Sequence, residues 1–397
     1  MKQKNSSVFY GAAFLMATSA IGPGFLTQTT IFTARLMASF GFAILISIIV
    51  DIIAQLNVWR IITVANKRAP DIANELMPGL GGFLSFLIIT GGLVFNIGNM
   101  AGCGLGLNVL FGVDVVTGAM ISAAISILIF LVKNAGRAMD WFAKILGFLM
   151  IGLMLYVAIT SHPPLAEAFH KTFIPDKIDF MSIVTIVGGT VGGYITFAGA
   201  HRLLDAGIHG RKNTQQVTKS ATTAIGVASV MRILLFLAAL GVVVQGLKID
   251  ESNPPASVFQ LAAGNVGYKL FGIVIWAAAV TSVVGASFTS VSFAQSFHPL
   301  VTKKKNYFII AFIVVAALLF AAFGKPVRVL IFAGAFNGLI LAFSLGIMLM
   351  AATKKRIMKD YEHSVALLVA GAVVALLMLV FGGITVMNEL KKIFCLN

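Results

Sequence analysis

Apolar runs of bilayer length recur along the whole of this 397-residue chain, with only short hydrophilic gaps between them. About 20 consecutive apolar residues carry a helix across the hydrocarbon core, and lipid leaves a chain built from such runs little choice but a helical bundle. The runs fall at about 9–34, 40–62, 82–110, 114–132, 140–160, 181–205, 218–245, 267–294, 306–323, 327–351 and 364–387. The expected fold class is therefore an all-α integral membrane protein of about 11 transmembrane helices. Charged residues make up 11% of the chain, against about 25% in soluble domains, which argues strongly against a soluble enzyme. Nor is there a nucleophile elbow, phosphate loop, zinc signature or paired-carboxylate motif.

Two of these runs are broken by glycine. One carries Ile21-Gly22-Pro23-Gly24-Phe25, the other Gly188-Gly189-Thr190-Val191-Gly192-Gly193-Tyr194. A break inside lipid frees backbone N–H and C=O groups, which is tolerable only where protein or a watery cavity surrounds it. The broken runs are the first and the sixth, so spans 1–5 and 6–10 share one pattern of a broken helix followed by four continuous ones. Because five is odd, the second set enters from the opposite side, and a five-plus-five inverted repeat is expected. Its halves would be residues of about 9–160 and 181–351, with an extra helix at about 364–387, all in one domain, 1–397. Matched breaks of this kind mark the substrate site of secondary transporters, so alternating access about a site between spans 1 and 6 is the expectation. No repeated filter motif points to a passive channel instead.

The formal net charge is +15, but the basic residues collect in the gaps between runs, as in cytoplasmic loops, so nucleic acid is an unlikely partner. Lys2, Lys4, Arg60, Lys67, Arg68, Lys133, Arg137, Arg211, Lys212 and Lys303 fall on one side, which outweighs the side holding Lys171, Lys177, Lys325 and Arg328. The positive-inside rule then expects a cytoplasmic N-terminus and an outside C-terminus in a bacterial plasma membrane. The run from Phe9 continues as the first helix, so no cleavable signal peptide is expected. Cys103 and Cys395 are the two cysteines, with neither a disulfide nor a metal site expected of them. The implied partners are the lipid bilayer and a transported ion or small solute, with no cofactor.

Around the breaks the chain offers hydroxyls, amides and bare carbonyls rather than soft metal ligands: Thr27, Gln28, Thr29, Thr30, Thr190, Gly192, Tyr194 and Thr196. Thr27, Gln28, Thr30, Gly192, Tyr194 and, in the tenth span, Asn337 are the candidate substrate-site residues. Their oxygens suit a hydrated Mg²⁺, which dehydrates reluctantly, and equally suit hydrogen bonds to a polar organic solute. The same threonines would also serve simply to satisfy freed carbonyls. Asn96 and Asn99 share one face of the third span, with Asn108 further along, and read either as a functional polar stripe or as interhelical glue. Asp51 and Arg232 stand at mid-membrane, where a charge costs about 2.5–3.5 kcal/mol, so a partner is expected and each is a candidate for the other. His201 and Asp205, four apart, are placed for a local helical contact or a pH-sensitive pair.

Several stretches resemble the natural resistance-associated macrophage protein (NRAMP) family of divalent-metal transporters. Gly104-Leu105-Gly106-Leu107-Asn108-Val109-Leu110-Phe111-Gly112 is close to that family's glycine-leucine-asparagine run. Gly188-Gly189-Thr190-Val191 is similar to the start of its broken sixth helix. Leu270-Phe271-Gly272 with Ala277-Ala278-Ala279-Val280-Thr281-Ser282-Val283-Val284-Gly285 resembles its small-residue eighth helix, and Gly22-Pro23-Gly24 its first. The resemblance implies the family's fold and a divalent cation of the Mg or Mn type as substrate. Its ligand motifs are rewritten here. The family's Asp-Pro-Gly-Asn becomes Gly22-Pro23-Gly24 followed by no Asp or Asn until Asp51, and its Met-Pro-His aligns with Gly192-Gly193-Tyr194. Its acidic pair on the proton pathway aligns with Asn96 and Asn99, which cannot titrate, so proton coupling is expected to be weak or absent. The alternative substrate is a small polar organic solute, such as an amino acid or lactam, carried on the same fold.

Overall fold

Proline decides where the first complete helix begins. Gly22 is extended (φ −109°, ψ −174°), and Pro23 takes the first helical position, where its missing N–H is no loss. In the computed structural model, which describes residues 9–394 apart from 10, 11, 14, 15, 18, 132–134, 296 and 298, α1 runs Pro23–Leu36. A 3-10 turn over Met37–Ser39 leads directly into α2 (Phe40–Ala65). The short α3 (Ala69–Leu76) precedes the long α4 (Leu80–Phe111), which stops at Gly112 in the left-handed conformation that glycine alone adopts freely. Then come α5 (Val115–Leu131), α6 (Ala135–Thr160) and α7 (Leu165–Phe173), the last bent 108° away from α6.

The second half opens with α8 (Phe180–Val191), whose start is capped by the Asp179 carboxylate accepting from the Met181 N–H. After a three-residue gap come α9 (Ile195–Asp205), α10 (Thr214–Val244) and α11 (Pro254–Ala294). The short α12 (Pro299–Lys303), α13 (Lys305–Phe323), α14 (Pro326–Ala352), α15 (Lys355–Met358) and α16 (Val365–Phe394) complete the chain. No strand occurs among the described residues. Eight helical stretches are long and apolar enough to cross a bilayer when Pro23–Ala65 is counted as one, and α5 is a shorter apolar helix. Among the described residues the expected apolar runs fall on helix apart from the two breaks and a few terminal positions.

The two longest gaps, 161–180 and 246–266, read in the sequence as a helical turn or two of amphipathic linker, both contain helix. The 246–266 gap is not a brief linker, because α11 already begins at Pro254 and turns at Gly264, where φ is +64°. The 161–180 gap holds the amphipathic α7, which lies across α2. Lys2, Lys4, Lys133 and Cys395 lie outside the described residues.

Both broken spans are at the centre. α1 packs against α4, α8, α10, α11 and α14, and α8 against α1, α2 and α14. Small residues set these distances, as expected where lipid removes any hydrophobic drive between helices. A methyl group on Gly106 would come within 2.6 Å of Trp276 Cβ, and one on Gly334 within 2.6 Å of the Thr185 carbonyl. Gly102 faces the Pro23 ring so closely that even alanine would collide. The backbone order of the bundle is thus written in its glycines.

Candidate functional site

The sixth-span break consists of Gly192, extended at φ −77° and ψ 160°, and Gly193, left-handed at φ +54°. Only glycine takes that second conformation without strain. A side chain at Gly193 would also strike Asn337 Oδ1 on α14. The Gly192 N–H closes α8 on the Gly188 carbonyl, and Tyr194 starts α9. On the other side, the Ile21 N–H bonds to the Ala17 carbonyl at 2.9 Å before the first-span break at Gly22.

Three helices meet at these breaks. From α4, Asn96 donates to Ser287 Oγ on α11 at 2.9 Å, and Asn99 donates to Asn96 Oδ1 at 3.4 Å. A methyl group on Gly22 would lie 3.7 Å from Asn99 Oδ1 and 3.5 Å from Ser282 Oγ, so this polar pair faces the first break. From α14, Asn337 donates to the Gly91 carbonyl at 3.1 Å and to the Ala333 carbonyl at 2.9 Å. Its Oδ1 faces the second break. Gln28 spans the gap between them: Nε2 donates to the Leu330 carbonyl at 2.8 Å, while Oε1 lies 2.7 Å from where a Gly189 methyl would stand.

What distinguishes this region is the number of buried polar atoms with no protein partner among the described residues. They include Thr27 Oγ1, Gln28 Oε1, Thr29 Oγ1, Tyr194 Oη, Thr196 Oγ1, Asn337 Oδ1 and Ser282 Oγ. Most buried polar groups in folded proteins are paired, and leaving one unpaired costs about 1–3 kcal/mol. A cluster of such groups at two helix breaks is the arrangement of a site that receives something polar.

Sequence-predicted residues divide clearly. Gln28, Gly192, Asn99 and Asn337 lie against the breaks, Asn96 joins them through Asn99, and Tyr194 follows the second break with its ring edge-on to Phe95, while Thr27, one turn into α1, is buried with its hydroxyl unpartnered. Thr30 is spent on its own helix, donating to the Leu26 carbonyl at 3.0 Å. Asn108 is not part of the stripe; it donates to the Val113 carbonyl at 2.9 Å and closes the end of α4.

The expected Asp51–Arg232 contact is not formed among the described residues. The Arg232 guanidinium instead donates to Thr190 Oγ1 at 2.6 Å and the Ile186 carbonyl at 3.4 Å, and lies 4.5 Å over the Phe25 ring. Asp51 Oδ1 and Arg232 Nε are both left without a partner. His201 and Asp205 do not pair either. Asp205 takes Arg68 at 2.6 Å, and His201 Nε2 accepts the Ala69 N–H at 3.3 Å while its ring stacks on Phe293.

Gln55 was missed by sequence reasoning. It lies on α2 four residues after Asp51 and four before Trp59, and Trp59 donates to the Thr196 carbonyl just past the sixth-span break. Further along, the Thr63 carbonyl accepts the Gly210 N–H and the Ala69 N–H reaches His201, so α2 and the sixth span run side by side in the same direction, which puts Gln55, one turn before Trp59, at the level of the break. Its side chain is fully buried, and both amide atoms lack a partner. A polar amide in a largely apolar span was the available signal. Ser290 Oγ, also unpartnered, was missed likewise.

No group of three His, Cys, Asp or Glu side chains among the described residues is placed to hold a metal ion. A cavity of about 460 Å³ between α2, α7 and α10 is lined by Gly41, Ile44, Phe169, Thr172 and other, apolar groups, and no residue of either break lines it.

Residues 13–388 match the family described as natural resistance-associated macrophage protein-like. A Bacillus subtilis (strain 168) protein described as "Uncharacterized membrane protein YcsG" is 59% identical over 388 residues, covering 98% of this chain and 96% of its own. A crystal structure of an Eremococcus coleocola manganese transporter superposes with a TM-score of 0.78 at 15% identity, covering 98% of this chain and 88% of that one. A crystal structure of MhsT in complex with L-phenylalanine superposes with a TM-score of 0.67 at 16% identity, covering 97% and 98%. At these identities the two structures share the fold.

Proposed function

The chain belongs to the natural resistance-associated macrophage protein-like family, and from that premise we propose that it is a secondary-active transporter working by alternating access about the two helix breaks, with a divalent cation of the Mg or Mn type as substrate. It is an integral membrane protein of a transporter family and not an enzyme. The reading comprises a single domain of two inverted five-helix repeats plus α16, held in a bacterial plasma membrane with its N-terminus cytoplasmic and its C-terminus outside.

One observation supports the site: the unpartnered oxygens of Gln28 and Asn337 lie against Gly189 and Gly193 of the second broken span, and Thr27 and Tyr194, on the broken spans themselves, are buried with their hydroxyls unpartnered. All are hard, neutral donors. They suit a cation that keeps part of its water shell, as Mg²⁺ does, better than one needing thiolate or imidazole. The manganese-transporting neighbour supports a cation of this kind on this fold.

A second reading, a small polar organic solute such as an amino acid or lactam, has its own observation. The buried Arg232 guanidinium lies beside both breaks, and no carboxylate cluster offsets it. The neighbour bound to L-phenylalanine supports that alternative.

Uptake of Mn²⁺ and Mg²⁺ into proteoliposomes, against empty liposomes, separates the two. Saturable uptake that Gln28→Ala abolishes is the expected result. If folded protein moves neither ion while amino acids or lactams raise its melting temperature, the second reading replaces the first.

A further inference from the structure

The most unusual charge in the molecule is Arg232. It is 2% exposed, on α10, and no carboxylate among the described residues lies within ion-pair distance of it. A guanidinium is charged at any working pH, so burying it without a contacting anion requires other partners. Those partners are specific. Thr190 Oγ1 gives its own hydrogen to the Ile186 carbonyl at 2.7 Å, which leaves its lone pairs for the guanidinium at 2.6 Å. Ile186 O accepts a second bond from the same nitrogen. Both groups belong to the last two turns of α8, the half-helix that stops at the break. The other face of the guanidinium lies over Phe25, in the first turn of α1 directly after the first break.

The carbonyl end of a helix is its negative end, and half-helix C-termini with freed carbonyls are where a transporter of this architecture coordinates a mobile cation. We propose that in this protein that position is filled by the chain itself: Arg232 is a tethered cation that bridges the two broken spans where a coupling ion would otherwise bind. Asp51, the buried acidic residue of α2, makes no ion pair with the guanidinium and leaves its Oδ1 unpartnered. A bound sodium ion or proton is released on one side of the membrane in each cycle and so links transport to its gradient. A tethered guanidinium is not released. Cation binding at this position is therefore constitutive, and the cycle is driven by the membrane potential and the substrate's own gradient, with no sodium or proton gradient needed.

The part of this inference concerning coupling rests on the transport reading above; the part concerning the cation position does not, and the test keeps them apart. The first arm measures the melting temperature of the purified full-length protein. Arg232→Ala lowers it by several degrees, and millimolar methylguanidinium restores at least half of the loss while leaving the native protein unchanged. Arg232→Lys, which keeps the charge, melts closer to the native protein than the near-isosteric Arg232→Met. Should Arg232→Ala fail to fold, the Lys and Met variants decide this arm. Equal melting of both with the native protein, or no rescue of the alanine variant, overturns the cation position. The second arm measures Mn²⁺ uptake into proteoliposomes with and without an inward sodium or proton gradient. Uptake that is unchanged within twofold is expected; stimulation of tenfold or more by either gradient overturns the coupling claim. If native protein takes up no Mn²⁺ at all, the substrate reading fails, and the melting arm still decides whether Arg232 fills a cation position.

Discussion

Asn57 and Gln55 stand two residues apart on α2, both fully buried and both carrying a side-chain amide, yet their surroundings are opposite. Asn57 donates to the Ile53 carbonyl at 2.8 Å and the Leu367 carbonyl at 3.0 Å. That orientation fixes its oxygen as acceptor, so His363 Nε2, 2.8 Å away, must donate to it. Every polar atom of the amide is used, and the result ties α16 to α2. Gln55, on the same face as Trp59 and so toward the sixth span, uses none of its atoms. A buried amide with all its bonds made holds a structure together. One with none made, beside a helix break and other orphaned groups, is held ready for a ligand or a passing water. The two faces of α2 therefore separate scaffold from site.

The largest disturbance of this division is expected from Gly193→Ala. A left-handed alanine costs about 1–2 kcal/mol, and its methyl group presses on Asn337 Oδ1, adding about 1–3 kcal/mol of overpacking. The melting temperature should fall and uptake should be lost together. Next comes Asn57→Leu, which strands His363 and the Leu367 carbonyl and should destabilise the fold by about 2–3 kcal/mol. Thermal denaturation would register that loss, while Mn²⁺ uptake per folded molecule stays at the native level.

Gln55→Leu sharpens the contrast. Since no bond is lost, stability should change by less than about 0.5 kcal/mol, whereas uptake should fall about tenfold, the equivalent of one hydrogen bond to the cargo. A Gln55 variant as unstable as the Asn57 one would erase the distinction between the two faces.

The smallest effect is a pH dependence at His363, in the loop before α16. Burial, with Arg60 adding to it, lowers its imidazole from 6.5 to about 4. The folded state therefore prefers the neutral ring, and the unfolded state binds more protons between those values. Stability contributed by this histidine is complete above pH 6.5 and declines as pH falls toward about 4. Melting temperatures across that window should show the decline, and His363→Gln should flatten it.

Much of the fold is legible in the sequence because lipid leaves a chain so few alternatives. Run length fixes where helices lie, and Gly22-Pro23-Gly24 and Gly192-Gly193 announce their own breaks, since neither sequence sustains a continuous helix in an apolar medium. Thr27, Gln28, Tyr194 and Asn337 are visible as polar residues near those breaks. Gln55 was harder to find: α2 is apolar almost all round, so periodicity does not tell its inward face from its outward one, and Asn57 gives the same sequence signal. Pairings between helices were also out of reach. Asp51 and Arg232 are both charges within apolar runs and invite pairing, but the packing of α8 against α10 delivers the guanidinium to Thr190 instead. His201 and Asp205 have the right spacing, and the chain crossing over them supplies Ala69 and Arg68 as better-placed partners.

The central claim is that the two breaks act as one substrate site. A double-mutant cycle on Mn²⁺ uptake, combining Gln28→Ala from the first span with Tyr194→Phe from the sixth, tests it most directly. The account predicts that the double variant loses clearly less than the product of the two single losses, because either change already spoils the shared site. Losses that simply multiply would mean that the two residues act independently, and would contradict a site built jointly from both breaks.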